Sequence, residues 1–500
     1  MAKDISTSLR ALYVASVAGG GGDVAFAGGV LRALLGPGAP PVALSLCVVK
    51  QAGGSAAAAL LELARDVPAP LLARLRSVRL LERAGAGARA AAAEPQLLVQ
   101  LPQLLRSLLL DRAARADADV VLQGPLRVFG SGAEALAAAS DSGPIASEQL
   151  PPPPPPPPSL PPRQPRLVTI REFGQARFAA LSEPAHAGDV DASAGLADDE
   201  LGFFDVRSQL VEDDTADDDA FGAGAASPRP RTPLALVEEL LALLPAGAAR
   251  DAVGAAAAPR PFVVGYFRTA RYAAAFGRAV ASALALDASA GAGGDAAGSA
   301  ADAADSGDLV VFMPVGDAAA AVHFLSGLRS HPRVSAVESE EGETSLRVSL
   351  LIGSCAAGNS VGLHSHRRLA LIDSMGMGLP RRCFRRLLAR ARLAVVTGDA
   401  SLSEALAFGA PFLYCAEGHK GGVRDALREL AGRGGGAVAA FWAFCEDGGS
   451  PWSSLESALA GGGWPALASA FSVWSSGVCA SRGGLATHVR ALVHGDVLGL

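Results

Sequence analysis

Short apolar runs and stretches of helical spacing alternate along most of this chain. Residues 9–17, LRALYVASV, form a mostly apolar run of strand length; the glycines of AGGGGD follow at 18–23, and VAFAGGVLRALL, 24–35, places its apolar residues at the spacing of one helix face. VALSLCVVK at 42–50 reads as the next strand, the helix PQLLRSLLLDRAARA (102–116) leads into the strand ADADVVLQG (116–124), and RLVTIREFG (166–174) is another strand. A second alternation begins near Pro261 with the strand PFVVGYF (261–267), the helix RTARYAAAFGRAVASALAL (268–286) and the strand DLVVFMPVG (308–316). A helix near 317–330, strands LRVSLLIG (346–353) and RLALIDSMG (368–376), and a helix over 380–391 follow. The strand LAVVTG (393–398), a helix at 401–409 and the strand APFLYC (410–415) complete the pattern. Strands alternating with helices build parallel sheets covered on both faces, so the expected class is α/β with two doubly wound halves. Ligands of such sheets sit at the carboxyl ends of the strands, and two halves facing each other leave a cleft there.

Two segments interrupt the alternation. Pro151 to Pro158 are consecutive prolines followed by Ser-Leu-Pro-Pro. They have no N–H to offer a sheet and read as an extended polyproline II insertion, either a semi-rigid surface spacer or a ligand for an SH3-type domain. Asp189 to Asp219 is rich in aspartate and lacks periodicity, which reads as a long loop around the short apolar LGFFDV. The expected domains are 1–225, carrying insertions at about 145–165 and 185–225, and 259–480. A linker over 226–258 includes the helix TPLALVEELLALL, and a C-terminal helix at 481–500 has the first domain as its expected packing partner.

Composition narrows the class. Half of the 500 residues are apolar, enough to bury sizeable cores in two or three domains of an ordinary soluble globular protein. A formal charge of −6 and a pI near 5.8 lack the basic footprint that binding a nucleic-acid backbone requires, so no nucleic-acid partner is expected. The cysteines, Cys47, Cys355, Cys383, Cys415, Cys445 and Cys479, are scattered without a CxxC and read as reduced core thiols of a cytoplasmic protein. Lys3, Asp4 and Arg10 stand where a secretory apolar region would begin, and no apolar run reaches about 18 residues. No signal peptide or integral membrane segment is expected, a pattern compatible with peripheral membrane contact. The alanine and glycine excess, as in Ala56 to Ala59 or Gly434 to Gly436, reads as compositional bias.

The loops carry the candidate chemistry. In TGDASLSEALAFGAPFLYCAEGHK, 397–420, Gly398, Ser401 and Ser403 stand where a helix begins, and unpaired N–H groups with serine hydroxyls there suit a diphosphate. Glu404 suits the vicinal diol of a ribose. The same Ser401-Leu402-Ser403-Glu404 equally satisfies a capping box. Gly21 and Gly22 let a ligand approach the backbone, although AGGGGD is neither GxGxxG nor Walker A, and Asp23 is either a carboxylate aimed at the ligand or a helix N-cap. Arg268, Arg271, His419 and Lys420 are cations placed just after strands, suited to phosphate or sugar or simply solvated. His364 and His366 lack a third ligand at a familiar spacing, so no metal site is expected.

These pieces resemble a glycosyltransferase of the GT-B type, which implies two Rossmann-like domains facing a cleft. Across 397–420, Gly398, Ser403, Glu404, Gly409, Pro411, His419 and Lys420 resemble positions of the N-acetylglucosaminyltransferase family that completes the peptidoglycan lipid precursor. That resemblance puts the ribose contact on Glu404; the family has a histidine where this chain has Asp23. Gly22-Asp23, Gly398-Asp399-Ala400-Ser401, Gly409, Pro411 and Phe412 are similar to the bacterial protein-arginine rhamnosyltransferases. That resemblance implies that Asp23 and Asp399 act on acceptor and donor. The expectation is therefore a glycosyltransferase that takes a nucleotide-diphosphate sugar and an unidentified acceptor, with no metal or cofactor, Asp23 serving as base. A catalytically silent nucleotide-sugar or partner-binding protein and a nucleotide-sugar 2-epimerase are the alternatives.

Overall fold

The computed structural model describes residues 9–17, 21–50, 55–84, 87–90, 100–110, 118–126, 128–129, 131–140, 165–171, 189–196, 200–206, 240–242, 262–265, 271–291, 309–313, 318–341, 345–353, 364–373, 381–416, 420–434, 436–447 and 451–495. In chain order the first elements are β1 (Leu9–Val17), α1 (Gly21–Leu35), β2 (Val42–Lys50), α2 (Ala56–Asp66), α3 (Ala69–Leu72), β3 (Ser77–Ala84) and β4 (Gly87–Ala90). Next are α4 (Gln103–Leu110), β5 (Val120–Gly124), α5 (Gly132–Ser140), β6 (Arg166–Arg171) and β7 (Val190–Ser193). Then come β8 (Phe262–Gly265), α6 (Arg271–Gly291), β9 (Leu309–Met313), α7 (Ala318–Arg329), β10 (Val334–Glu341), β11 (Ser345–Gly353) and β12 (His364–Asp373). The chain ends with α8 (Arg381–Arg390), β13 (Ala391–Val396), α9 (Asp399–Phe408), β14 (Phe412–Tyr414), α10 (Gly421–Gly434), α11 (Gly436–Asp447), α12 (Trp452–Ala458), α13 (Gly463–Arg482) and α14 (Leu485–His494). Two compact units result, Met1–Phe204 with Arg482–Leu500, and Asp205–Ser481. The expected boundary at 225 lies outside the described residues, as does the polyproline run.

The first unit holds a seven-stranded sheet ordered β4-β3-β2-β1-β5-β6-β7. All neighbours are parallel except β3 and β4. Leu12 and Val14 of β1 join a core with Cys47, Val49, Val121, Phe129 and Ala135, while Tyr13 between them is also fully buried. Burial on both faces is what a parallel sheet covered by helices demands, and it explains why β1 reads as an apolar run rather than an alternation.

The alanine run 56–59, assigned to no element from the sequence, is the first turn of α2, where Ser55 Oγ accepts from Ala57 N–H at 3.2 Å. One expectation is corrected here. The segment read as a loop from Asp189 contains β7, which pairs in parallel with β6. Arg171 donates to both carboxylate oxygens of Asp191 across that pair, at 2.8 and 2.5 Å. Backbone pairing and one bidentate ion pair override the lack of periodicity in a strand this short.

At the end of the chain α14 packs on the first unit's α1. Arg490 Nε donates to Ala33 O at 2.6 Å, and the Arg166 guanidinium donates to Leu492 O and, at 3.0 Å, Val493 O. A cation on the last carbonyls satisfies groups that the helix leaves without partners and complements its dipole. Phe203 N–H donates to Arg482 O, and Phe204 bridges Gly484, so the 201–204 segment is tied to the same returning chain.

The second unit's sheet runs β10-β11-β12-β9-β8-β13-β14. From β12 through β14 neighbours are parallel, while β10, β11 and β12 pair antiparallel. Antiparallel pairing departs from the expected parallel alternation; for β10 and β11 the cause is length, since they are joined by 342–344 alone, too short for a crossover helix. Glycine has a structural use between α6 and α7, where a Cβ on Gly277 would lie 2.2 Å from Phe324 O and one on Gly327 2.1 Å from Ala274 O. An aromatic cluster of Phe412, Phe441, Trp442, Phe471 and Trp474 packs α11 and α13 against β14, and Trp442 Nε1 donates to Phe412 O at 2.6 Å. Cys47, Cys383, Cys415, Cys445 and Cys479 are buried free thiols; burial pushes Cys47 up to about 12.

His331 is buried after α7, its ring edge-on to Trp452 and Phe444, and its Nδ1 accepts from Arg333 N–H at 3.2 Å. Burial first and the Arg333 charge second lower its pKa to about 3.

Two outcomes are expected. Arg166→Ala lowers the unfolding free energy by about 1–3 kcal/mol in urea titration, because it strips a charged donor from the α14 carbonyls. For His331 the folded pKa lies below the unfolded value of about 6.5, so its contribution is complete above that pH and is lost as pH falls from there toward about 3. The slope approaches about 1.4 kcal/mol per pH unit, and His331→Gln flattens it in denaturation curves taken from pH 7 to 4.

Candidate functional site

The strand order reverses between β1 and β5 in the first sheet, and in the second the chain leaves β8 toward β9 on one side and adds β13 and β14 on the other. Loops leave the carboxyl edge there in opposite directions, which is where doubly wound sheets hold ligands. Asp23, Asp399, Ser401 and Lys420 stand after β1, β13 and β14 at these two edges.

In the second unit β13 is followed by Thr397 and Gly398, then α9. The helix starts two residues earlier than expected, so Gly398 is its N-cap, Asp399 its first residue, and Ser401 its third. Gly398 N–H donates to Ser401 Oγ at 3.2 Å and Ser401 Oγ donates to Gly398 O at 2.9 Å. Ser403 Oγ donates to Asp399 O at 2.8 Å. The box read over Ser401-Leu402-Ser403-Glu404 does not form: Gly398 is the N-cap with Ser401 at its third position, and both serine hydroxyls bond the helix's own backbone. Gly409 closes α9 at φ 66°, a left-handed conformation suited to glycine.

Asp399 and Lys420 are brought together although they lie 21 positions apart: Lys420 Nζ donates to Asp399 Oδ1 at 2.6 Å, and both side chains are largely buried. A carboxylate in the first turn of a helix is favoured by the dipole, and its cation partner then balances the charge. Glu404 is not part of that pair. It is 1 % exposed and accepts from Arg385 Nε of α8 at 3.1 Å, a buried ion pair joining the helices on either side of β13. In this structure its carboxylate is presented to Arg385 rather than to solvent. Tyr272 of α6 donates its hydroxyl to Ala416 O beyond β14, fixing the start of the segment that leads to Lys420. Arg271 is the first residue of α6, with its side chain outside the described residues; Arg268 and His419 lie outside them altogether.

In the first unit α1 begins at Gly21, so Gly21 and Gly22 are its first residues and Asp23 lies inside its first turn rather than at an N-cap. A carboxylate in that turn has the helix N–H groups and dipole beside it. The loop after β5 is fixed by polar groups at the ends of three strands. Ser16 Oγ donates to Leu126 O and accepts from Leu126 N–H at 2.8 Å. Gln123 donates to Phe129 O and Thr169 Oγ1 and accepts from the N–H groups of Val128 and Phe129. Ser16, Gln123 and Thr169 are all buried, and together they satisfy the loop backbone at the strand-order reversal.

Sequence reasoning missed Arg385, Ser16 and Gln123. Arginine density in RRCFRRLLAR is the sole trace of the first, and no local pattern marks the other two. His366 stands exposed on β12, and among the described residues no group of three metal-ligating side chains gathers. No helix among the described residues is long and apolar enough to cross a membrane.

No family model and no curated protein matches this chain. Among solved structures, it is similar to one described as the structural basis for EarP-mediated arginine glycosylation of translation elongation factor EF-P, at 13 % identity and TM-score 0.36, over 98 % of this chain and 99 % of that one. It is similar to E. coli ADP-heptose lps heptosyltransferase II at 13 % identity and TM-score 0.30, over 81 % of this chain and 84 % of that one. A UDP-N-acetylglucosamine 2-epimerase is similar at 13 % identity and TM-score 0.30, over 90 % of this chain and 94 % of that one. Likeness at this level carries no activity; the two doubly wound units stand on the strand orders above.

The Arg385–Glu404 pair yields a stability test. Arg385→Met or Glu404→Leu alone leaves a buried charge uncompensated and costs about 3–5 kcal/mol, whereas the double variant recovers most of the loss. Denaturation of the four proteins of this cycle measures the coupling, and additive losses would refute it.

Proposed function

We propose that this chain transfers a glycosyl group from a nucleoside-diphosphate sugar to an acceptor nucleophile, without a metal ion. The observation that supports this reading most is the buried Lys420–Asp399 pair at the carboxyl edge of the second sheet, at the turn of α9 and beside the strand-order reversal. In the reaction the acceptor's lone pair attacks the anomeric carbon and the bond from that carbon to the diphosphate oxygen breaks. The bonding pair leaves on the diphosphate, and the acceptor's proton passes to a base. Lys420 supplies the positive charge that offsets the charge developing on the leaving group. Asp23, held in the first turn of α1, is the carboxylate assigned to the proton. Protein side chains, lipids and glycans all offer such a nucleophile, and the resemblance of Gly22-Asp23 and Gly398-Asp399 to the arginine rhamnosyltransferases favours a protein acceptor.

Glu404 enters this reading differently from the sequence expectation. A ribose contact requires its carboxylate to turn from Arg385, so its burial and the self-capped serines favour a second reading, a catalytically silent protein that binds a nucleotide or a partner.

Thermal-shift titration with UDP, dTDP, GDP and ADP separates the two. A matching diphosphate at 100 times its Kd adds about 2.7 kcal/mol of stability. Under the transferase reading one base gives the shift, Lys420→Met weakens the diphosphate at least about tenfold while the bare nucleoside binds as before, and Asp23→Asn abolishes transfer with donor binding intact. Diphosphate binding with no turnover of the matching nucleotide sugar supports the silent reading, and no shift with any of the four refutes the transferase.

A further inference from the structure

Lys420 stands directly before α10, which begins at Gly421. A helix opens with unpaired N–H groups and the positive end of its dipole, so a cation is poorly suited to that place and serine, asparagine or aspartate would serve it better. Lys420 is nevertheless buried there. What seats its ammonium is Asp399, the first residue of α9, with Nζ donating to Oδ1 at 2.6 Å. The turn that carries the carboxylate is fixed in its own right, because Ser403 Oγ donates to Asp399 O and Ser401 Oγ donates to Gly398 O. The pair thus joins the starts of two helices that follow adjacent parallel strands, β13 and β14. It is not sealed: 10 % of the Lys420 side chain and 14 % of the Asp399 side chain remain exposed, so an anion from solvent can reach the ammonium. A carboxylate oxygen accepting from Nζ makes the same charge-assisted bond that a phosphate oxygen would make in its place.

We propose that Asp399 is a positioning residue that acts through Lys420 and competes with the diphosphate for it. The carboxylate holds the ammonium between turnovers, a diphosphate oxygen replaces it as the donor binds, and the carboxylate reclaims the ammonium as the nucleoside diphosphate leaves. This assignment rests on the reading of Lys420 as the cation of the leaving group. It gives Asp399 a part other than the one its resemblance implies: it touches neither sugar nor acceptor, and it limits how tightly the product is held.

The test uses the full chain as parent, Asp399→Asn, Lys420→Met and the double variant. Its probes are the nucleoside diphosphate selected from UDP, dTDP, GDP and ADP, its bare nucleoside, and inorganic pyrophosphate. Asp399→Asn is expected to melt below the parent, because a buried ammonium loses its counter-charge. It is expected to bind the diphosphate about tenfold more tightly and to be inhibited by it at about tenfold lower concentration, with pyrophosphate following the diphosphate and the nucleoside unchanged. In the Lys420→Met background the gain falls below about twofold. Equal or weaker diphosphate binding in Asp399→Asn overturns the proposal, and so does a tenfold gain that persists without Lys420, which would be plain repulsion by the carboxylate. Where Asp399→Asn does not fold by itself, dilution from urea with and without pyrophosphate decides: folding that requires the anion supports the exchange, and failure in both overturns it. If neither the parent nor Asp399→Asn binds any of the four diphosphates, this assignment and the transferase reading fall together. Tighter, Lys420-dependent binding in Asp399→Asn with no turnover by the parent refutes transfer alone.

Discussion

Each unit leaves a central strand toward one edge of its sheet and later returns to build on that strand's other side, β1 in the first unit and β8 in the second. Parallel pairing makes this arrangement costly in chain, because every parallel neighbour needs a crossover from one edge of the sheet to the other. The same requirement starts every crossover at the carboxyl edge. Around the reversal the two outgoing connections diverge, and the backbone there is not closed by a neighbouring loop of the same hand. What else the chain places at those edges follows from this: α1 with Asp23 after β1, α9 with Asp399 after β13, and Lys420 after β14.

Charge at the second edge is arranged in pairs. Asp399 with Lys420 and Glu404 with Arg385 are each close to neutral as pairs, and each is largely removed from solvent. Burying a single charge costs far more than burying a hydrogen-bonded pair, so pairing is the condition on which these side chains enter the interior at all. A consequence is that the α9 N-terminus already has a carboxylate of its own and hydroxyls directed at its own backbone.

The loop after β5 at the first edge is held by neutral polar groups instead. Ser16, Gln123 and Thr169 satisfy the loop after β5 through hydrogen bonds that are buried and mutually consistent, which gives that loop one conformation without charge. The returning helix α14 completes the unit by bonding through Arg490 and through Arg166 to carbonyls that helices expose at their ends.

How much was legible from residues alone varied by element and for identifiable reasons. Strands β1, β2, β5, β6, β8, β9, β13 and β14 stood out because burial on both faces requires continuous apolar runs, and an apolar run is a local property. The antiparallel β10, with Glu338 and Glu340 exposed on it, and the short β7 carried no such run; partners elsewhere in the chain made them strands. Helix α2 was hidden in an alanine run whose composition suggested nothing, although Ser55 was there to cap it. Among the candidate residues the sequence alone determined which positions lie at the ends of strands and starts of helices, since hydrophobic period and turn chemistry are set by near neighbours. Only the tertiary structure decided that Asp399 meets Lys420 and that Glu404 meets Arg385. Such pairings depend on distances between elements far apart in the chain, and buried charges and hydroxyls take whichever partner the packed elements bring within reach.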